Sequence, residues 1–193
     1  MLREAKIRAS SSSASTGEGG RKIVYTIGHS TRTLEELIEL LKLNGVDLLV
    51  DIRRVPRSGT NPQFNMDSFP DELRKKSEIG YTHMKGLGGL RRAKPDSKNI
   101  AWRNQSFRGY ADYMQTEEFE KSFNELERLI EDNHVICLMC AEAVPWRCHR
   151  FLLSDSLVAK GYEVIHIIGK TSLRQHTLSR MAEVVDGRVS YPC

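Results

Sequence analysis

Disulfide staples are missing from this chain. Its four cysteines stand at 137, 140, 148 and 193 of 193 residues, too few and too clustered for a cross-linked secreted fold. In a reducing compartment they read as core thiols, a reactive thiol or metal ligands. Also missing is any run near the roughly 18 apolar residues needed to cross a bilayer, so no membrane partner is expected. The N-terminus has basic residues without the apolar core of a secretory signal, and the expected location is cytoplasmic. Neither G-x-x-x-x-G-K nor G-x-G-x-x-G occurs, which removes the P-loop and the dinucleotide fingerprint. Zinc-finger and RNP signatures are absent too. These residues name no particular cofactor and fix no oligomeric state.

What is present fits one soluble domain of ordinary size, with 39% apolar and 28% charged residues. Residues 1–21 contain SSSASTGEGG and no hydrophobic period, and are expected to be a disordered tail preceding a single domain over 22–193. The net charge of +4 is unevenly spread. Residues 53–108 hold thirteen Lys/Arg against five Asp/Glu, while residues 109–193 hold nine against thirteen. A basic middle third suits phosphate or nucleic acid, and a solvated loop surface gives the same composition.

The hydrophobic pattern alternates between strand and helix. Ile23–Ile27 is apolar enough for a buried strand, and Thr33 with Glu36 forms a capping box ahead of the stripe Leu34, Leu37, Ile38, Leu41. Val46–Ile52 is a second strand, and the intervening helix makes the pair parallel. Further helices are predicted over 66–78, with Pro70 in the first turn, and over 107–114 and 117–132. Tyr81–Met84 is a weak strand, Val135–Met139 a stronger one, and a helix follows through Phe151 to Gly161. Tyr162–Ile168 is the fifth strand and 173–185 a last helix; residues 85–106 form a long loop. The predicted fold is a three-layer α/β/α sandwich with a mostly parallel central sheet.

In such a sheet the carboxyl ends of the strands share one edge, where ligands bind. His29 and Ser30 follow the first strand, Asp51, Arg53 and Arg54 the second, and Cys140 and Glu142 the fourth. Cys140 is a candidate nucleophile, its thiolate favoured by a cation such as Arg147, Arg150 or His29; the alternative is an inert strand-end thiol, as Cys137 is expected to be. Glu142 is a candidate base or nucleophile, or simply a helix cap or ion-pair partner. His29 is a candidate proton shuttle. Arg53, Arg54 and Arg91 offer forks for an anion, with Asp51 beside them; Gly86–Gly89 reads as a flexible flap, and Tyr110 as pocket lining. Cys148, His149 and Arg150 complete the candidate binding set; His149 is expected to hold the loop by hydrogen bonds, and a structural Cys/His metal or redox site is the competing reading. Six residues separate Cys140 from Arg147 and the loop holds Pro145, which departs from the tight loop of cysteine-dependent phosphatases.

TIGHST at 26–31, DIRRVPRS at 51–58, LGG at 87–89, FRGYADYM at 107–114 and CAEAVPWRCHR at 140–150 together resemble the domain-of-unknown-function family numbered 488, over about residues 23–170. The resemblance implies a compact α/β domain in a prokaryotic cytoplasmic protein. It brings no established activity, and marks His29, Asp51, Arg53, Cys140, Glu142, Cys148, His149 and Arg150 as positions to test. The expected function is that of an enzyme, a hydrolase or transferase, acting on a phosphorylated or nucleotide-like small molecule at the sheet's carboxyl edge. The alternative is a nucleic-acid-binding module using the basic 53–108 region.

Overall fold

The computed structural model describes residues 20–132 and 134–193, so the expected tail lies almost wholly outside the described residues. Strand β1 (Ile23–Gly28) leads into helix α1 (Leu34–Leu43). Thr33 Oγ1 accepts from the Glu36 amide at 3.1 Å, and Glu36 Oε2 accepts from the Thr33 amide at 2.7 Å, so the capping box forms as read. Then follow β2 (Leu48–Asp51), α2 (Phe69–Lys76), β3 (Gly80–His83), α3 (Gln105–Tyr113), α4 (Glu117–Glu131) and β4 (Ile136–Cys140). Helix α5 (Arg150–Ala159), β5 (Glu163–Gly169) and three short strands, β6 (Ser172–Gln175), β7 (Glu183–Val185) and β8 (Arg188–Ser190), complete the order.

The main sheet runs β3-β2-β4-β1-β5-β6, parallel except for β6. Strand alternation divides the core into two layers. Val24, Val50, Ile136 and Leu138 pack beneath α3, α4 and α5; Ile27, Leu49, Cys137 and Met139 pack against α1 and α2. Both faces are covered, giving the three-layer α/β sandwich that the pattern predicts. After β1 the chain turns to α1 on one face; after β4 it turns to α5 on the other. Since β1 and β4 are neighbours, with Gly28 opposite Cys140, their ends open a crevice at a topological switch point.

Three expectations need correction. The helix expected over 173–185 does not form. Leu173 instead pairs with Ile167, and β6 satisfies the backbone groups that β5 would leave open at its edge. Asp186 and Gly187, with φ of 52° and 74°, then turn β7 into β8 as a two-residue hairpin. Helix α2 is shorter than predicted, because Pro70 fits only the first turn and fixes the start near Phe69. The long loop is not free. Asp112 of α3 accepts from the Lys94 amide at 2.8 Å, Ser97 Oγ at 2.6 Å and Asn99 Nδ2 at 2.8 Å, stitching that loop to the helix.

Candidate functional site

The ends of β1 and β4 stay zipped past the sheet: the His29 amide donates to Cys140 O at 2.9 Å and the Ser30 amide to Ala141 O at 2.8 Å. This close approach explains Gly28, where a Cβ would lie 1.7 Å from Glu142 O. Cys140 ends β4 with 1% of its surface exposed, and Arg150, in the first turn of α5, is fully buried behind it. The Arg150 guanidinium donates to Cys140 Sγ at 3.1 Å, to Glu142 O at 2.9 Å and to Ala143 O at 3.0 Å. The loop thus turns carbonyls, not amides, toward its central arginine. That is the opposite of a phosphate-wrapping loop, and agrees with the spacing mismatch in the sequence.

Burial alone would push the Cys140 thiol up. The Cys148 thiol, the Arg150 guanidinium and the Glu142 backbone N–H outweigh it and hold Cys140 below the ordinary thiol range. Cys148 goes the other way, raised by burial and by the Cys140 sulfur that it faces. Its Sγ lies 3.5 Å from the Arg150 amide nitrogen and 3.5 Å from His149 Nδ1. His149 Nε2 donates to Ile52 O at 3.2 Å, which fixes the ring, and burial lowers its pKa to about 4. Gly89 packs so tightly on that ring that a Cβ would fall 2.7 Å from Nδ1.

The second strand end is a closed ion pair. Asp51, fully buried, accepts from Arg53 Nε at 2.9 Å and Nη2 at 2.6 Å, from the Arg53 amide at 3.0 Å and from the Tyr81 hydroxyl at 2.8 Å. Arg53 Nη2 also reaches Phe64 O at 2.8 Å, and Nη1 lies 3.2 Å from His29 Nε2. That nitrogen must accept, so His29 carries its proton on Nδ1 and donates to Ser30 O at 2.9 Å. Burial, with Arg53 and Arg32 nearby, lowers the His29 pKa to about 4 against the opposing pull of the Ser30 bond and Asp51. The ring also stacks on Phe64 at 4.5 Å. With both nitrogens engaged, His29 positions Arg53 and has no free atom for the proton shuttle expected of it.

Two adjoining cavities occupy the crevice. One, of about 270 Å³, is lined by Cys140, Cys148, His149, Glu142, Arg54 and Arg147, with Val55, Leu90 and Phe107 as its apolar wall. The other, of about 330 Å³, is lined by His29, Ser30, Arg57, Thr60 and Asn61. Arg53, Val55, Ala141 and Glu142 border both. The cavities therefore bring His29, Ser30, Arg53, Arg54, Cys140, Glu142, Cys148 and His149 to one rim. Asp51 and Arg150 stand behind it as supports. Arg91 and Tyr110 line neither cavity. Arg91 lies 3.4 Å over the Tyr113 ring, and the buried Tyr110 hydroxyl donates to Leu87 O at 2.8 Å. Leu87, Gly88 and Gly89 are buried, so the segment read as a flexible flap is a packed wall. Among the described residues no three His, Cys, Asp or Glu side chains gather as they would around a metal ion.

Sequence reasoning passed over Phe64, Tyr81 and His83, whose Nε2 meets Arg53 O at 2.7 Å. They read as ordinary core or strand residues. Of the three, only His83 stands opposite Asp51 in the β2–β3 register. Leu90 was missed as well; it is 73% exposed at the cavity mouth with φ of 58°, held there by Arg54 Nη1 donating to its carbonyl at 2.7 Å.

Fold and site define an α/β sandwich with a polar pocket at its topological switch point. The family model described as domain of unknown function DUF488 matches residues 33–157, and the chain belongs to that family. A search of curated proteins gives no match. Among the described residues no helix is long and apolar enough to cross a membrane.

Proposed function

We propose that this protein is an enzyme, a hydrolase or transferase, that takes a phosphorylated or nucleotide-like small molecule into the cavity beside Cys140. The observation that carries the reading is the Cys140 thiol, contacted by a guanidinium at 3.1 Å in the wall of a cavity. A thiolate at that place is a nucleophile: it bonds to the transferred group as that group's bond to its leaving oxygen breaks, the leaving oxygen departs with a proton from solvent, and water or an acceptor hydroxyl then takes the group from sulfur, giving up a proton. Glu142 makes no side-chain hydrogen bond or ion pair with the described residues and borders both cavities, so its carboxylate is free to take that proton. Arg54 and Arg147 supply the cationic rim; Arg53 is committed to Asp51 and Arg91 to Tyr113, so neither carries the role first expected of it. Val55, Leu90 and Phe107 offer the apolar surface on which a base or a sugar face rests.

The nucleic-acid alternative draws on the basic middle of the chain. Part of that charge already has a partner: Arg57 with Asp67 at 2.6 Å, Lys75 with Glu72 at 2.8 Å, and Lys76 with Glu35. The enzyme reading is therefore preferred.

Thermal-shift measurements across nucleotides and sugar phosphates test it. A ligand at about 100 times its Kd stabilises the fold by about 2.7 kcal/mol, and the shift should shrink in Arg147→Ala and Arg54→Ala. Cys140→Ser should keep the binding shift and lose turnover of the ligand found. No shift with any of these compounds would end the proposal.

A further inference from the structure

We infer that Cys140 and Cys148 form a redox-active dithiol: a small hydroperoxide oxidises Cys140, and Cys148 resolves the product as an intramolecular disulfide. The inference stands apart from the identity of any substrate. Both thiols are free and both line the same cavity. Each thiol moves the other's pKa, Cys140 down and Cys148 up. Arg150 touches the pair from two sides, with its guanidinium on Cys140 at 3.1 Å and its backbone amide on Cys148 at 3.5 Å. Cys137, on the same strand, is a built-in contrast. It faces the opposite side of the sheet, where burial pushes its thiol up and no cavity reaches it among those at the crevice.

The chemistry balances with the peroxide alone. The Cys140 thiolate attacks one peroxide oxygen; the S–O bond forms, the O–O bond breaks, and the departing alkoxide or hydroxide takes a proton. Cys148 then attacks the sulfenic sulfur. The S–S bond forms, the S–O bond breaks, and hydroxide leaves with the Cys148 proton as water. The two thiols are oxidised by two electrons and the peroxide is reduced. Cys140 meets the cavity with only 1% of its surface exposed, which favours hydrogen peroxide or a short alkyl hydroperoxide over a bulky oxidant.

The disulfide has a structural consequence. Arg150 is fully buried, its Nε has no partner among the described residues, and its remaining acceptors there are the neutral carbonyls of Glu142 and Ala143. Oxidation removes the thiol that the guanidinium contacts and leaves a buried cation with carbonyls as its remaining acceptors, which favours loosening of residues 141–149. The same contact stabilises the reduced form, so the disulfide should be readily reversed by a dithiol reductant.

The test uses the full chain. It is treated with hydrogen peroxide, denatured, alkylated with N-ethylmaleimide and mapped by peptide mass spectrometry. The expected product joins the Cys140 and Cys148 peptides, lighter by a pair of hydrogens, with Cys137 still alkylated; dithiothreitol restores both thiols. In Cys148→Ser, dimedone should label Cys140. Two results would overturn the inference: Cys140 and Cys148 both alkylated at a dose that oxidises the exposed Cys193, or Cys140 carried to sulfinic acid in the unmutated chain while Cys148 stays free. Nucleotide thermal shifts on the reduced protein report on the proposed function separately, so either idea can fail alone.

Discussion

Two regions of this protein bury polar side chains, and they do so in opposite ways. On the α5 face of the sheet, Thr26, His166, His176, Asp155 and Tyr191 form a buried chain. Thr26 Oγ1 meets His166 Nδ1 at 2.6 Å, His166 Nε2 meets His176 Nδ1 at 3.0 Å, and His176 Nε2 meets Asp155 Oδ1 at 2.8 Å. The Tyr191 hydroxyl closes the chain on Asp155 Oδ2 at 2.7 Å. Each ring nitrogen is used once, in one consistent donor direction, and nothing is left over. Such a chain fastens β1, β5, α5 and the C-terminal segment into one body. Around Cys140 the accounting stays open. Among the described residues the Arg150 Nε has no partner and the Glu142 carboxylate faces the cavities unpaired, while the thiol is held toward thiolate. Satisfied polar burial locks a fold; unsatisfied polar burial beside a cavity is where chemistry is available.

The largest expected effect is of pH, and it touches both regions. Burial leads the lowering of His166 to about 3 and of His29 and His149 to about 4. Unfolded histidines titrate near 6.5. Below that value the unfolded chain binds protons that the folded chain refuses, so stability is full above pH 6.5 and falls as the pH drops toward 4. Each such histidine contributes about 1.4 kcal/mol per pH unit in that window. Urea midpoints measured from pH 7.5 to 4.5 should fall steeply below 6.5; a flat profile would remove the claim that these rings are buried neutral.

Next comes Asp155→Ala, which strands the partners of the closed chain and should cost about 3–5 kcal/mol. Equilibrium denaturation reads the loss. The ligand-induced shift at the Cys140 cavity should persist in whatever fraction stays folded, and its selective disappearance would blur the distinction between lock and site. Gly28→Ala should cost about 1–3 kcal/mol, because the new methyl pushes against the Glu142 carbonyl and the Arg150 guanidinium. Here the Cys140 alkylation rate should change together with stability, since the β1–β4 zipper is displaced.

The smallest stability effect belongs to Glu142→Gln, within about 0.5 kcal/mol, as expected of an exposed side chain that holds nothing in place. Turnover of any substrate found in the thermal-shift panel should nevertheless fall by about 10²-fold or more. A large stability loss with unchanged turnover would reassign Glu142 from chemistry to structure.

The layers of the fold were readable wherever local signals agreed with tertiary packing. Leu34, Leu37, Ile38 and Leu41 marked α1, the Thr33–Glu36 box marked its start, and the apolar runs at 23–27 and 135–139 marked buried strands. The segment 173–185 was misread because its spaced apolar residues suit a helix, while the open edge of β5 offers a better use for its backbone. The Asp186-Gly187 hairpin signal was present in the sequence and was overlooked. Within the site, His29, Arg53, Cys140, Glu142, Cys148 and His149, which the sequence offers as candidates, line the two cavities. Arg91 and Tyr110 were misplaced because polar and aromatic residues in a long loop or on a helix carry no sign of which way they point. Arg147 and Leu90 gain meaning only from the cavity they border.

By itself, the sequence determined that helices alternate with strands, that the sheet is mainly parallel, and that polar groups follow the first, second and fourth strands. Those are consequences of hydrophobic period and chain connectivity, which are local. Only the tertiary structure decided that β1 lies beside β4, that Arg53 is spent on Asp51, and that Arg150 sits beneath Cys140. Strand order and the pairing of buried charges depend on contacts between distant segments, and a side chain's charge is free for a ligand only if no neighbour in the folded protein has already claimed it.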